Sequence, residues 1–478
     1  MFPEVDTRVN FVELEGDVLR FWKEQGIFHK SIEIRKGGPH YAFYEGPPTA
    51  NGTPGVHHVL SRLYKDAVCR YKTMKGYHVP RKAGWDTHGL PVELEVESSL
   101  ALNSKAQIEE YGVARFNDHC RQSVFKYIKQ WETMTERLGC WLDMEHPYIT
   151  LDNSYIESCW WITKQLWDKG LIYRGYKVTP HCPRCGTSLS SHEVALGYRD
   201  DTEDPSVYIK FRLRPSSLGK EAKLRSLLSA GRKSAKPAFL LAWTTTPWTL
   251  PGNTALAVAP HAEYTVMEGE QDYLILAKML ADKVGLEGYT ESGVVFGEDL
   301  ADLEYEPLFN PHDFAVQRLE LPTLHVKGTE ENLTYPLINA DFVSLDEGTG
   351  VVHIAPAFGE IDFDIGMSSG LDFVQPVDLE GKVSGTYPFA GKFVKEADPL
   401  ILDDLKSRGL LYRSEKIIHT YPFCWRCETP LIYYAKPAWY IRTTAVKKEL
   451  IAGNAKINWY PDYIKHGRFG DWLENNVD

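Results

Sequence analysis

Two Cys-x-x-Cys pairs constrain this chain more than any other feature. Cys182 and Cys185 stand in TPHCPRCGTSL, and Cys424 and Cys427 stand in FCWRCETPL. Either pair alone has the spacing of a redox motif, but no thioredoxin-like context surrounds it. Together they supply four thiolates, the number that a structural zinc takes. If one Zn2+ joins both pairs, residues 186–423 must leave and return at nearly the same point. That is the signature of an inserted domain. The alternative is four unmetallated thiols. The remaining cysteines, Cys69, Cys120, Cys140 and Cys159, are scattered beside aromatics or on helical patterns and are expected to be buried thiols.

The enclosed stretch has its own composition. Between about 204 and 396, short β-like runs recur at close spacing (VYIKF, FLLAWTTT, TALAVAP, GVVHIAP), which suggests a small β-barrel-like domain. Within it, residues 215–236 are polar and basic and are expected to be a surface hairpin or a disordered loop. Two segments carry side chains fit for chemistry. TTTPWTLPGNTA holds Thr244, Thr245, Thr246 and Asn253, and EGTGVVHIAPAFGEIDFD holds His353 and Asp362. Hydroxyls, an amide, an imidazole and a carboxylate are the groups that bind an ester and position a hydrolytic water. A threonine run is also ordinary β-strand sequence.

A second organising stretch runs from Phe43 to Pro91. Tyr41 to Glu45 is expected to be a short aromatic strand. Gly46, Pro47, Pro48, Asn51, Gly52, Pro54 and Gly55 then force an ordered loop. From Val56 apolar residues recur at three- and four-residue steps, which predicts a helix ended by Gly76. A helix N-terminus offers free N–H groups and a positive dipole end suited to phosphate. The same dipole repels an imidazolium, so His57 and His58 in the first turn are expected to be neutral. They are either phosphate ligands or two surface histidines. Tyr77–Arg81 is expected to be a second strand, parallel to the first, in a doubly wound α/β sheet. Asp86 would then sit in the turn GWDTHGLP at a strand's C-terminal end, where such sheets bind ligands, or would simply stabilise that turn.

Elsewhere, Phe11–Glu24 is expected to be a helix, residues 28–40 a polar link, and Val113–Leu138 and Ser154–Lys169 two further helices. The tryptophans of the last are expected to pack in the core. The chain has 478 residues, 43% hydrophobic and 25% charged, with a net charge of −12. That size suggests about three domains, and the charge argues against a surface that binds nucleic acid throughout. No signal peptide and no membrane-spanning run is visible, so a cytoplasmic location is expected.

FYEGPPTANGTPGVHHVL resembles the first signature region of class I aminoacyl-tRNA synthetases, and GWDTHGLPVELEVE resembles isoleucyl-tRNA synthetases in particular. The family's His-x-Gly-His tetrapeptide falls on Gly55-Val56-His57-His58. Only His58 matches in place: the first histidine position holds Gly55, and the glycine position holds His57. The resemblance implies a class I Rossmann-like doubly wound parallel sheet, of which this chain carries the first half only, with an inserted editing domain. Residues 1–40 would be a helical extension, 41–203 the first half of the catalytic domain with one knuckle, 204–396 the editing domain, and 397–478 the return segment with the second knuckle. The resemblance further implies ATP with Mg2+, isoleucine and tRNA(Ile) as substrates, a monomeric enzyme, and zinc on Cys182, Cys185, Cys424 and Cys427. His57 and His58 would be catalytic. Pro48, Gly55, His57 and His58 would contact ATP, and Gly46, Pro47 and Asp86 would form the amino-acid pocket. Thr244, Thr245, Thr246, Asn253, His353 and Asp362 would form the editing pocket. The family's Lys-Met-Ser-Lys-Ser loop is not found, so the chain is expected to belong to a protein about twice as long and not to form an adenylate by itself. Two rivals remain: an aminoacyl-tRNA deacylase lacking synthesis, and a zinc-stabilised RNA-binding module.

Overall fold

Glycines bracket the helix that follows the Gly/Pro loop. In the computed structural model, which describes residues 8–49, 51–220, 222–229, 236–321, 325–326 and 334–478, this helix runs Val56–Met74, with Gly55 as its N-cap. Gly76 follows it at φ 92°, a conformation that favours glycine. Its buried residues, however, are Arg62, Cys69 and Thr73, while Val56, Leu60, Leu63 and Met74 of the apolar face are exposed. The expected pattern places the helix correctly and its inward face wrongly.

The strands beside it are shorter than expected. Tyr41–Glu45 forms no regular ladder. It is extended backbone tied at one end by the Tyr41 N–H to the His78 carbonyl (2.9 Å) and beyond the other by the Asp86 N–H to the Pro48 carbonyl (3.0 Å). Isolated parallel bridges join His40 to His78 and Thr49 to Asp86. Pro39, Pro47, Pro48 and Pro80 lack the donors that a continuous ladder needs. For the same reason Tyr77–Arg81 contributes only one bridge, and the regular strand is Lys82–Trp85. It pairs in parallel with Asp143–Ile149. The described residues therefore show a parallel α/β arrangement but not a full doubly wound sheet.

These elements belong to a unit made of Met1–Ile172 with Ile441–Asp478. The helix Phe11–Glu24 is present, capped by the Asn10 side chain. The supposed polar link begins instead with a helix, Ile27–Glu33, whose end is held where Arg35 Nε donates to the Thr73 carbonyl at 2.6 Å. Val113–Arg137 and Asn153–Asp168 are helical as expected. The tryptophans of the latter are not core: Trp160, Trp161 and Trp167 are 70%, 65% and 55% exposed. Cys159 on the same helix is also exposed, against the expectation of a buried thiol, and Cys120 is only half-buried.

The second unit is Tyr173–Tyr440. Its first and last residues meet: the rings of Tyr173 and Tyr440 stack with centroids 5.6 Å apart. A six-stranded sheet runs in the order Thr290–Phe296, Glu263–Glu268, Tyr273–Ala277, Ala238–Thr244, Tyr198–Arg212, Leu411–Pro422. Alternation is visible in the fifth strand of that order, where Val207, Ile209 and Phe211 are buried. The Tyr273–Ala277 strand is buried throughout, as is Ala255–Val258, which lies between Leu337–Asn339 and Val351–Ile354 in a three-stranded sheet. The helix Val394–Ser407 contributes Val394, Ala397, Ile401 and Leu405 to the same core as these strands. The compact unit is thus wider than the 204–396 interval and includes both cysteine pairs. The 215–236 excursion is neither hairpin nor loop in its described part. Ser217–Lys220 is a 3-10 turn and Ala222–Ser229 a helix, with Leu224 and Leu228 buried in the core. The rest of it, 221 and 230–235, lies outside the described residues.

Candidate functional site

A cavity of about 330 Å³ lies between the Gly/Pro loop and the Val56–Met74 helix. Of the sequence candidates, Gly46, Pro48 and His58 line it; Pro47, Gly55, His57 and Asp86 do not. Asp86 is tied to the loop instead, since its carboxylate accepts from the Thr49 hydroxyl at 3.1 Å. Trp131 donates its indole N–H to the Gly52 carbonyl at 3.0 Å and fixes the loop's far side.

The state of His58 follows from its partner. The Gly55 N–H donates to His58 Nδ1 at 2.8 Å, so Nδ1 is an acceptor and the neutral ring carries its proton on Nε2. Burial lowers its pKa, and neighbouring His57 lowers it further. The outcome is a neutral imidazole with one N–H to offer. His57 packs against it, ring centroids 3.8 Å apart. A Cβ at Gly55 would lie only 2.8 Å from His57 Cε1. The His57 ring therefore fills the space in which a side chain at position 55 would begin.

The cavity's strongest charges escaped the sequence reading. Arg62 and Lys65 line it, as does Glu45. Glu45 is buried and takes Lys65 Nζ at 2.6 Å. Arg62 is 6% exposed, and burial lowers its pKa, partly offset by Glu45. The signal was available: His58, Arg62 and Lys65 are spaced by four and three residues, one face of a helix.

In the second unit the threonine stretch and the histidine strand converge. Thr244 and Thr246 hydroxyls lie 3.2 Å apart, Thr246 and Thr249 3.4 Å apart, and Thr249 Oγ1 meets His353 Nε2 at 2.9 Å. Thr249, the fourth threonine of TTTPWT, is not among the sequence candidates, because only contact with His353 on a distant strand singles it out. It sits in a 3-10 turn, Pro247–Gly252, all of whose residues are buried. Thr249 also donates to the Thr246 carbonyl at 2.8 Å, so His353 Nε2–H is the donor to Thr249. His353 Nδ1 is buried with no hydrogen bond among the described residues. Burial drives the His353 pKa down to about 4, so the ring is neutral at physiological pH.

Asp362 Oδ2 accepts the Ala355 N–H at 2.8 Å, two residues past His353. Burial raises its carboxyl to about 6, against the opposing effect of that N–H. Asn253 presents little to a ligand. It is buried, its Oδ1 accepts from Tyr305 at 2.6 Å, and its amide donates to the Ala255 and Ile354 carbonyls. Thr245 is half-buried; its hydroxyl is not part of this chain of contacts.

The four knuckle cysteines do meet. One ligand atom from each of Cys182, Cys185, Cys424 and Cys427 lies within 4.8 Å of all the others. Cys427 Sγ is 3.4 Å from that of Cys182 and 3.5 Å from that of Cys185. A tetrahedral ion with bonds of about 2.3 Å requires sulfurs about 3.8 Å apart, so the cluster can hold a metal ion with little adjustment.

A family model described as tRNA synthetases class I (I, L, M and V) matches residues 17–478. The chain belongs to this class I synthetase family. It is 56% identical to the isoleucine–tRNA ligase of Dehalococcoides mccartyi strain 195, over 100% of this chain and 47% of that protein. Identity to the isoleucine–tRNA ligase of Thermus thermophilus is 50%, covering 42% of it, and to that of Clostridium novyi 48%, covering 43%. The chain thus spans about half the length of the curated relatives it matches. A solved structure described as the crystal structure of GlLeuRS-CP1 aligns with 44% of this chain and 98% of its own at a TM-score of 0.35 and 16% identity, too loose a likeness to support a structural conclusion. Among the described residues, no helix is long and apolar enough to cross a membrane.

Proposed function

We propose that this chain carries part of the activation site and the hydrolytic site of an isoleucine–tRNA ligase. The observation that carries the reading is the 56% identity to such a ligase along the whole chain, together with a neutral His58 set in a cationic cleft at a helix N-terminus. In activation, the isoleucine carboxylate attacks the α-phosphorus of ATP and pyrophosphate leaves. Negative charge grows on the phosphate oxygens in that step. His58 Nε2–H, the first-turn N–H groups, and the Arg62 and Lys65 cations would stabilise it. Mg2+ enters with ATP as part of the substrate. Asp86 would hold the amino acid's ammonium, Gly46 and Pro47 would wall its side chain, and Pro48 would meet ATP. The activated acyl group then passes to the terminal ribose of tRNA(Ile).

The second site answers a physical limit for which isoleucyl-tRNA synthetase is itself the standard example: one missing methylene caps discrimination against valine at about 150-fold. Hydrolysis of the valyl ester removes the excess error. Asp362 would pair with the ester's ammonium, and His353, Thr246 and Thr249 would orient the ribose and the attacking water. We further assign zinc to Cys182, Cys185, Cys424 and Cys427 as a structural ion; when bound it would crosslink the two ends of the inserted unit. A Rossmann-like sheet completed by further strands, a barrel-like hydrolytic domain, a monomeric state and a cytoplasmic location complete the proposal.

The test has two arms. The protein carrying this chain should catalyse isoleucine-dependent ATP–pyrophosphate exchange and hydrolyse valyl-tRNA(Ile), and Asp362→Ala should abolish only the second. Exchange absent with isoleucine but present with valine or leucine would reassign the substrate. Hydrolysis without any exchange would favour the deacylase.

A further inference from the structure

The Pro247–Gly252 turn leaves a backbone donor that the turn itself does not satisfy. Pro247 has no N–H. The Trp248 N–H is directed at Asp398 Oδ1, 2.8 Å away on the Val394–Ser407 helix. This is the one hydrogen bond that Asp398 makes among the described residues, and Asp398 is 4% exposed. The nearest cation does not pair with it directly: Lys395 Nζ goes to Asp204 Oδ1 at 2.5 Å, and the other Asp204 oxygen takes His419 Nε2 at 2.9 Å. Burial accordingly raises the Asp398 carboxyl to about 8; Lys395 and the Trp248 N–H oppose this, and Asp204 adds to it.

An isolated buried carboxyl is costly, and a hydrocarbon side chain of similar volume would ordinarily pack there at lower cost. What this carboxyl does have is leverage. The residue after Trp248 is Thr249, whose hydroxyl receives the His353 proton. The turn has little freedom to take up a shift. The Trp248 indole packs edge-on against Phe358 with centroids 4.9 Å apart, and a Cβ on Gly252 would lie 2.8 Å from the same Phe358 ring and 3.2 Å from the Val374 carbonyl. If the Trp248 amide moves, Thr249 moves with it.

We propose that Asp398 is a positioning residue for the hydrolytic site: by fixing the Trp248 amide it sets the Thr249 hydroxyl against His353. The placement concerns the geometry alone; its catalytic consequence rests on the hydrolytic reading given above. Asp398→Leu removes the acceptor at similar volume, whereas Asp398→Asn keeps an oxygen that can accept from Trp248.

The experiment uses the chain labelled with 15N-histidine, with His353→Gln to assign the His353 signals. In the parent, His353 should show a neutral ring protonated on Nε2. Asp398→Leu should shift those signals and speed exchange of the Trp248 amide at least about tenfold, as loss of one buried hydrogen bond implies. Asp398→Asn should restore both. Should Asp398→Leu fail to fold, Asp398→Ser carries the same expectation. In the protein that hydrolyses valyl-tRNA, Asp398→Leu should lower kcat roughly 10- to 100-fold with KM within about twofold, since small misplacements cost rate more than binding. Unchanged His353 signals, or full hydrolysis in a variant whose His353 signals have moved, would overturn the proposal. If neither parent nor variants hydrolyse valyl-tRNA while His353 responds as described, the hydrolytic reading fails and the positioning stands.

Discussion

Asp362→Asn should make the Tyr173–Tyr440 unit more stable while destroying the hydrolytic activity proposed for it. Burial lifts the Asp362 carboxyl from 3.8 to about 6. A group whose folded-state pKa is raised contributes stability in its protonated form. That contribution is complete below the unfolded value and is lost as pH rises through the folded value. Above about pH 7 the ionised side chain therefore costs up to about 3 kcal/mol relative to a neutral one. Residual solvent contact reduces this, so an observed gain of about 1–2 kcal/mol is expected. The asparagine keeps an oxygen to accept from the Ala355 N–H, so the local hydrogen bond survives. Because the chain has two compact units, a single melting temperature is a poor measure. Native-state hydrogen exchange of the buried Tyr273–Ala277 strand reports this unit alone. The advantage of Asp362→Asn should be full at about pH 7.5, about half at pH 5 and nearly gone at pH 4. A variant less stable than the parent at neutral pH, or a gain independent of pH, would refute the claim that desolvation of an ionised carboxylate dominates here.

Other perturbations test other parts. Elemental analysis should find one zinc per chain, absent in Cys424→Ser; a parent with no zinc whose four knuckle thiols all react while folded would contradict the assignment. His58→Ala should slow isoleucine-dependent exchange by roughly 10²–10³, the usual effect of losing one transition-state donor, and a loss below tenfold would remove His58 from that role. Gly84→Ala should destabilise the first unit by about 1–3 kcal/mol, because the new Cβ would overlap the Tyr148 ring; neutral stability in denaturant would mean that the Tyr148 ring moves aside freely. Gly55→His should impair exchange more alone than when paired with His57→Gly, since the His57 ring already fills that space; equal rates for the single and double variants would show that the two positions are independent.

How far the sequence reached depended on which forces were local. The Val56–Met74 helix was legible because glycines at both ends and three- and four-residue apolar steps act within one segment. Which side faced inward was not, because His58, Arg62 and Lys65 line the cavity beside the Gly/Pro loop while Leu60 and Met74 are left exposed. Tyr41–Glu45 looked like a strand by residue type, yet the prolines around it and opposite it remove the donors of a ladder. Trp160, Trp161 and Trp167 were misjudged because burial is a property of neighbours, which periodicity does not supply. The cysteine pairs were recoverable because four thiolates suit one ion, whereas the threonine and histidine stretches were joined only through the family resemblance, since a threonine run alone is ordinary strand sequence. Asp398 left no trace in the sequence, since its partner is a backbone amide and any residue can supply one.

The stacking of Tyr173 on Tyr440 has a consequence for how such a chain is assembled and altered. Because the second unit starts and stops at one spot, its flanks see an interruption whose ends are already joined. Chain-closure entropy grows only with the logarithm of loop length, about 0.6 kcal/mol per doubling, and a folded insert with adjacent ends removes most of even that. The flanking unit is thus nearly indifferent to what is plugged in between Ile172 and Ile441. A short linker bridging those two residues should yield a flanking unit that folds, and the excised segment should circularise readily. The two units are then separable cassettes on one polypeptide.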